Sequence, residues 1–217
     1  MFNLLYKEFK LAAHPTVFIF LAFAFMMLIP SYPYYVAFIY TCLSIFFVFM
    51  SGRENKDVFY TVSLPIKKSD AVKARCTMIA IIELVQMIVS VPFAILGASI
   101  NPNADGNQAG IEANVAFFGL VFIMFALFNV IFIPGFYKTG YKIGAPFVAA
   151  GTAVLLYIVA AESLVWIPTP LKSFLDTTAP DIMVKQLPIL AVGMILWVVS
   201  VIASYKTGAA RFEKVDL

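Results

Sequence analysis

The chain has 217 residues, 62% hydrophobic and only 12% charged, too few charges for a water-soluble domain of this size to cover itself. At roughly 20 apolar residues per helical span, six spans and short connections use most of the length, which excludes a separate soluble domain. The net charge of +3 does not point to nucleic acid, and Cys42 and Cys76 fall at apolar or span-end positions that suit buried, reduced thiols rather than a disulfide or metal ligands.

Residues 1–14 read as a short amphipathic helix lying on the cytoplasmic surface, with Asn3, Lys7, Lys10 and His14 on one face and Phe2, Leu5 and Phe9 on another. Thr16 to Ile29 is the first apolar run and Tyr34 to Met50 the second, and Pro30 and Pro33 force a tight connection between them. No small-residue cleavage pattern follows the first run, so it is expected to stay as a span rather than be removed as a signal peptide.

Ser51 to Arg75 carries Arg53, Glu54, Lys56, Asp57, Lys67, Lys68, Asp70, Lys73 and Arg75, too many charges for hydrocarbon. Its core, residues 51–71, is expected to form two short helical pieces around the turn at Leu64 and Pro65. Ser69 is the expected N-cap, and Asp70 the acid at the positive dipole end, of a helix that continues through the third span to about Leu96.

Gly97 to Ala113 contains Asp105 and Glu112 but no Lys or Arg, and so reads as an external loop. Asn114 to Pro134 is the fourth span, Gly135 to Lys142 a short cytoplasmic return, and Gly144 to Val165 the fifth span, whose Gly and Ala residues are expected to permit close helix contact. Residues 166–185 are an external segment containing Trp166, Pro168, Pro170 and Pro180, with room for a short interfacial helix. Gln186 to Tyr205 is the sixth span, followed by a polar tail from Lys206 to Leu217.

Of the fifteen basic residues, Lys172 and Lys185 fall outside and the other thirteen inside: Lys7, Lys10, Arg53, Lys56, Lys67, Lys68, Lys73, Arg75, Lys138, Lys142, Lys206, Arg211 and Lys214. That asymmetry predicts cytoplasmic termini and an even number of spans. The expected fold class is an all-α membrane protein, one transmembrane domain over residues 1–217.

Enzyme chemistry finds little support. A single histidine, His14, excludes paired-histidine metal motifs. The glycine cluster from Gly135 to Gly144 has Tyr141 and Lys142 after its second glycine, which is not a phosphate loop, and no Gly-x-Ser-x-Gly elbow occurs. Within the bilayer, Glu83 lies near the middle of the third span, one turn from Gln86, and Asn129 lies in the fourth. Glu83, Gln86 and Asn129 are candidates for a translocation path or proton relay, or for interhelical hydrogen bonding. Glu162, near the outer end of the fifth span, reads as structural.

The stretch from Arg53 to Arg75 is longer than a loop needs, and its Val58, Phe59, Tyr60 and Leu64 among charges of both signs suit a docking helix as well as a solvated loop. Ser63, Leu64 and Pro65, with Lys67, Lys68, Lys73 and Arg75 after them and Arg53, Glu54, Asn55 and Lys56 before, resemble the membrane subunits of bacterial ABC exporters in the type-two permease family. The amphipathic first helix, the six-span order and the link before the last span extend the resemblance over most of the chain.

The resemblance implies a coupling helix seated in a groove of a separate ATP-binding subunit, a second permease, identical or related, that completes the pathway, and a bacterial cell membrane as location. It implies no cofactor on this chain, ATP and Mg2+ being held by the partner. The residues expected at the partner are Arg53, Leu64, Pro65, Lys67 and Lys68 from the matched stretch, with Glu54 and Asp57 as carboxylates for its basic rim and Phe59 as the ring for an apolar pocket. Compact size and short external loops are similar to exporters of amphipathic peptides, including the phenol-soluble-modulin type, and to drug and bacteriocin-immunity exporters. Two other readings of the residues stand beside it: a proton-coupled secondary transporter using Glu83, and a non-transporting membrane scaffold.

Overall fold

The computed structural model describes residues 2–100, 107–167 and 170–215, and among these every regular element is helical. In chain order they are α1 (Phe2–Lys7), α2 (Thr16–Ala22), α3 (Tyr35–Glu54), α4 (Asp57–Ser63), α5 (Lys68–Ile100), α6 (Val115–Tyr137), α7 (Gly144–Trp166), α8 (Pro170–Leu175), α9 (Pro180–Lys185) and α10 (Leu187–Phe212). Five of them, α3, α5, α6, α7 and α10, are long and apolar enough to cross a membrane, and the bent N-terminal segment makes a sixth if counted as one span. The protein is a multi-span all-α membrane protein. Asp105, Pro168 and the last two residues of the polar tail, Asp216 and Leu217, lie outside the described residues.

α1 continues as a π-helical turn, Glu8–Ala12, and the segment then turns by 85° into α2, so the amphipathic helix lies across the direction of the span it precedes. After Ala22 the backbone tightens into a 3₁₀ helix, Phe23–Leu28. At about 1.5 and 2.0 Å per residue, the first apolar run is then about 22 Å long, short of the about 30 Å hydrocarbon core, where the sequence predicts a plain span. Its end is wedged against α5: a Cβ on Gly97 would stand 2.7 Å from the Met27 carbonyl oxygen.

Helix α6 is the centre of the bundle. Its span is 67% buried, against 22% for α7 and for α10. Phe117, Phe125, Phe128 and Phe132 are fully buried on it, and Phe117 meets Tyr35 of α3 edge-on at 4.9 Å. These rings serve core packing.

At the start of the fifth span the close contact expected of its Gly and Ala residues runs through Ala150, which is fully buried, and beside Pro146, 2.8 Å from where a Cβ on Gly135 of α6 would stand, but not through the glycines of α7. Gly144 and Gly151 of α7 have open space where a Cβ would stand, whereas a Cβ on Gly193 of α10 would lie 2.2 Å from the Gly119 carbonyl oxygen of α6. Small residues permit contact without choosing the partner, and here the α6–α10 crossing takes it.

Element ends shift for local reasons. α5 begins at Lys68, so Ser69 is in its first turn rather than at the cap, and it runs on to Ile100 past Leu96. α10 continues past Tyr205 because its polar end is pinned: Arg211 donates to the Pro134 carbonyl at 2.8 Å, and Phe212 packs on Tyr137 at 5.2 Å. The 166–185 segment contains two short helices, each opening on a proline, whose fixed φ suits a first turn.

This linker is laced to α6. Asn114 caps α6 by accepting from the Phe117 N–H at 3.0 Å and donates to the Thr177 carbonyl at 2.9 Å. Gln186 accepts from the Ala116 N–H at 3.1 Å and donates to the Phe174 carbonyl at 2.6 Å. On the same end, Glu162 accepts from the Ile111 N–H at 2.8 Å, the structural role expected of it.

Candidate docking surface and its buried ion pairs

Between α3 and α5 the helix is interrupted twice in a few residues. α3 stops at Glu54, and Lys56 takes the left-handed conformation, φ 54° and ψ 29°, which breaks what would otherwise be one continuous helix. α4 follows for seven residues, and Leu64 is extended before Pro65, as the residue before a proline prefers. Of the two short helical pieces expected around Leu64 and Pro65, only the first is a separate short helix, α4; after the turn the chain enters the 33-residue α5 directly.

On its outer side this segment exposes Arg53, Glu54, Phe59, Tyr60, Pro65 and Lys67. Phe59 and Tyr60 are 50% and 58% exposed, neighbouring rings on a helix set among charges. Leu64 is half-buried. Lys68 turns away from this surface: its ammonium donates to the Val215 carbonyl at 2.8 Å and lies 5.5 Å from the Phe212 ring, near the negative end of α10.

Asp57 also departs from the sequence reading. Its side chain is only 12% exposed and points inward to Arg75 of α5 and Lys7 of α1. Lys7 donates to Asp57 at 3.0 Å and to the Thr61 hydroxyl at 2.7 Å, and forms an ion pair with Glu8 at 2.9 Å. Arg75 pairs with both Glu8 and Asp57, and its guanidinium lies 5.2 Å from the Phe49 ring of α3.

Two cations and two carboxylates thus balance in a largely buried site that ties α1, α3, α4 and α5 together. Burial on its own would lift the Asp57 carboxyl, but Arg75 and Lys7 outweigh it and hold the group below the usual carboxylate range. Its stabilising contribution is present above the unfolded carboxylate pKa and is lost as pH falls through the folded value. Glu8, which the sequence reading passed over, is the second carboxylate of this set and is 2% exposed.

The mid-membrane candidates are partly brought together. Glu83 of α5 accepts from the Asn129 amide of α6 at 3.0 Å and from the Trp197 indole of α10 at 2.7 Å, through the same carboxyl oxygen. Gln86 instead donates to Ser90 on its own helix at 3.3 Å. Glu83, Gln86 and Asn129 are all fully buried, and none of them lines the apolar cleft that lies between α5, α6 and α10. The arrangement is an interhelical knot, and its third member, Trp197, was not marked by any sequence signal beyond being one of two tryptophans.

The termini of α3, α5, α6 and α10 that carry most basic residues meet at one end, joined by the Lys68–Val215 and Arg211–Pro134 contacts, and α1 joins them through Lys7 and Asp57. The fold and this surface define a polytopic membrane protein whose basic end presents a short, internally braced helix. A family model described as ABC-2 family transporter protein matches residues 3–207, and the chain belongs to that family. It is accordingly an ABC-2 membrane permease, a component without an ATPase of its own, and membership implies an ABC ATP-binding partner. Comparison with curated proteins and with solved structures gives no match.

Proposed function

We propose that this chain is the permease half of an ATP-driven exporter, that α4 is the helix by which ATP-binding subunits grip it, and that a second permease completes the pathway in a bacterial cell membrane. The observation that carries the reading is the two-sidedness of α4. Phe59 and Tyr60 face outward with Glu54 and Arg53 beside them, while Asp57 and Thr61 are held from behind by Arg75 and Lys7. Aromatic anchors with a charged rim are the usual currency of a tight contact.

In this reading Phe59 fills an apolar pocket of the partner, Glu54 and Arg53 orient it, and Leu64, Pro65 and Lys67 shape the exit from the helix. Asp57 acts as a positioning residue, and Lys68 braces α10. Nucleotide-driven movement of the partner passes through α4 to Arg75 and so to α5. ATP and Mg2+ belong to the partner. The cargo class proposed is hydrophobic or amphipathic, with amphipathic peptides of the phenol-soluble-modulin type first, in keeping with the ABC-2 family membership and the apolar composition of the chain.

The test is co-purification and transport with the ATP-binding subunit. Phe59→Ala combined with Glu54→Arg should abolish stimulation of the partner's ATPase and weaken co-purification at least tenfold, which is a loss of about 1.4 kcal/mol or more. A complex of unchanged stability and full transport in that double variant would refute the assignment of α4.

A further inference from the structure

Between α5, α6 and α10 lies a cleft of about 480 Å³ whose wall is almost wholly apolar, formed by residues such as Met87, Val91, Phe118, Phe122, Leu190 and Met194. It opens sideways, since Ile88 and Ile95 on its rim are 68% and 63% exposed on the flank of a membrane-spanning helix. Hydrocarbon is therefore the medium at its mouth.

Its extent is the informative quantity. Along α5 it runs from Leu84, beside the mid-membrane Glu83, to Ile95, which is about 16 Å at 1.5 Å per residue and so about half of a 30 Å hydrocarbon core. It ends at Asn114 and at Met183 of α9, on the end of the bundle opposite α4. α9 closes two residues later at Lys185, exposed and one of the two basic residues assigned to that end.

We propose that this cleft holds one acyl chain of a phospholipid from the leaflet on the Lys185 side, with the anionic headgroup beside Lys185. The occupant follows from the dimensions. A second copy of the chain would bring a full-length helix and need a groove running through both leaflets, whereas this cleft stops near mid-helix. A single hydrocarbon chain fills one leaflet, and three methionines in the wall, Met87, Met183 and Met194, can adapt to it. Lys185, two residues past the cleft's Met183 on α9, supplies a positive charge at that end of the cleft.

Trp197 gives the reporter, because its ring packs on Phe122 of the cleft wall at 5.5 Å and is itself buried. In Trp166→Phe protein reconstituted into vesicles of phosphatidylglycerol brominated on its acyl chains, the remaining indole should be quenched. Val91→Phe and Leu190→Phe, which fill the cleft, should each remove that quenching while gel filtration shows a folded protein. Lys185→Glu, which leaves the core untouched, should shift the preference from brominated phosphatidylglycerol towards brominated phosphatidylcholine. Absence of quenching in the Trp166→Phe parent, or quenching that survives both fillings, overturns the proposal. So does a cross-link between two copies through Ile88→Cys, and an unchanged headgroup preference in Lys185→Glu overturns the role of that lysine and serves as the measure should neither filled variant fold.

Discussion

Removing the Arg75 guanidinium is the most direct test of the buried ion pairs. Arg75→Met keeps the stem length and leaves Glu8 and Asp57 to share a single cation, Lys7, in a site where the side chains of Arg75, Glu8 and Asp57 are 6%, 3% and 12% exposed. Taking one partner from a buried pair costs about 3–5 kcal/mol, chiefly because the charge left behind is not resolvated. Loss of the contact with Phe49 adds to this in the same direction. Unfolding in detergent can be followed with a thiol-reactive dye, since Cys42 and Cys76 are both free and buried, and Cys76 adjoins the substituted residue. Arg75→Met should lower the midpoint sharply. Adding Glu8→Gln should then recover part of the loss, because one cation and one carboxylate again balance. A midpoint equal to wild type in Arg75→Met, or a double variant in which the two losses simply add, would refute the reasoning.

Two further outcomes follow from the helix crossings. Glu83→Gln retains an oxygen for the Asn129 and Trp197 N–H groups and should stay within about 1 kcal/mol of wild type with ATP-driven transport intact, whereas Glu83→Ala strands both donors at about 1–3 kcal/mol each; loss of transport in a stable Glu83→Gln protein would instead mark a proton relay. Gly193→Ala should cost at least about 1–3 kcal/mol in the same thiol-dye unfolding assay, because its Cβ meets backbone rather than a movable side chain, while Gly151→Ala on α7 should be silent.

Much of this fold is legible in the sequence because hydropathy and the placement of Lys and Arg are one-dimensional signals. The helices α3, α5, α6, α7 and α10 lie where the apolar runs put them, with ends displaced by a few residues. The outer surface of α4 was legible too, from Phe59 and Tyr60 set among charges. What escaped is pairing at a distance. Glu8 and Arg75 are 67 residues apart, and Glu83 and Trp197 are 114 apart, so nothing local distinguishes a carboxylate that will find a partner from one that faces water. Asp57 illustrates the same limit, since one helical face decides whether a charge serves a partner chain or its own bundle. The glycines mislead for a related reason: a missing Cβ records that something can approach, and only packing decides whether it does.

α5 is one continuous helix of 33 residues, about 50 Å from end to end, and its foot is fixed to α4 by Arg75. In mechanical terms it is a long arm with a short grip. A tilt of about 5° at the foot sweeps the far end through roughly 4 Å. Pro92, in the outer third, removes one rung of the hydrogen-bond ladder and supplies the joint at which such an arm would flex instead of transmitting the whole sweep.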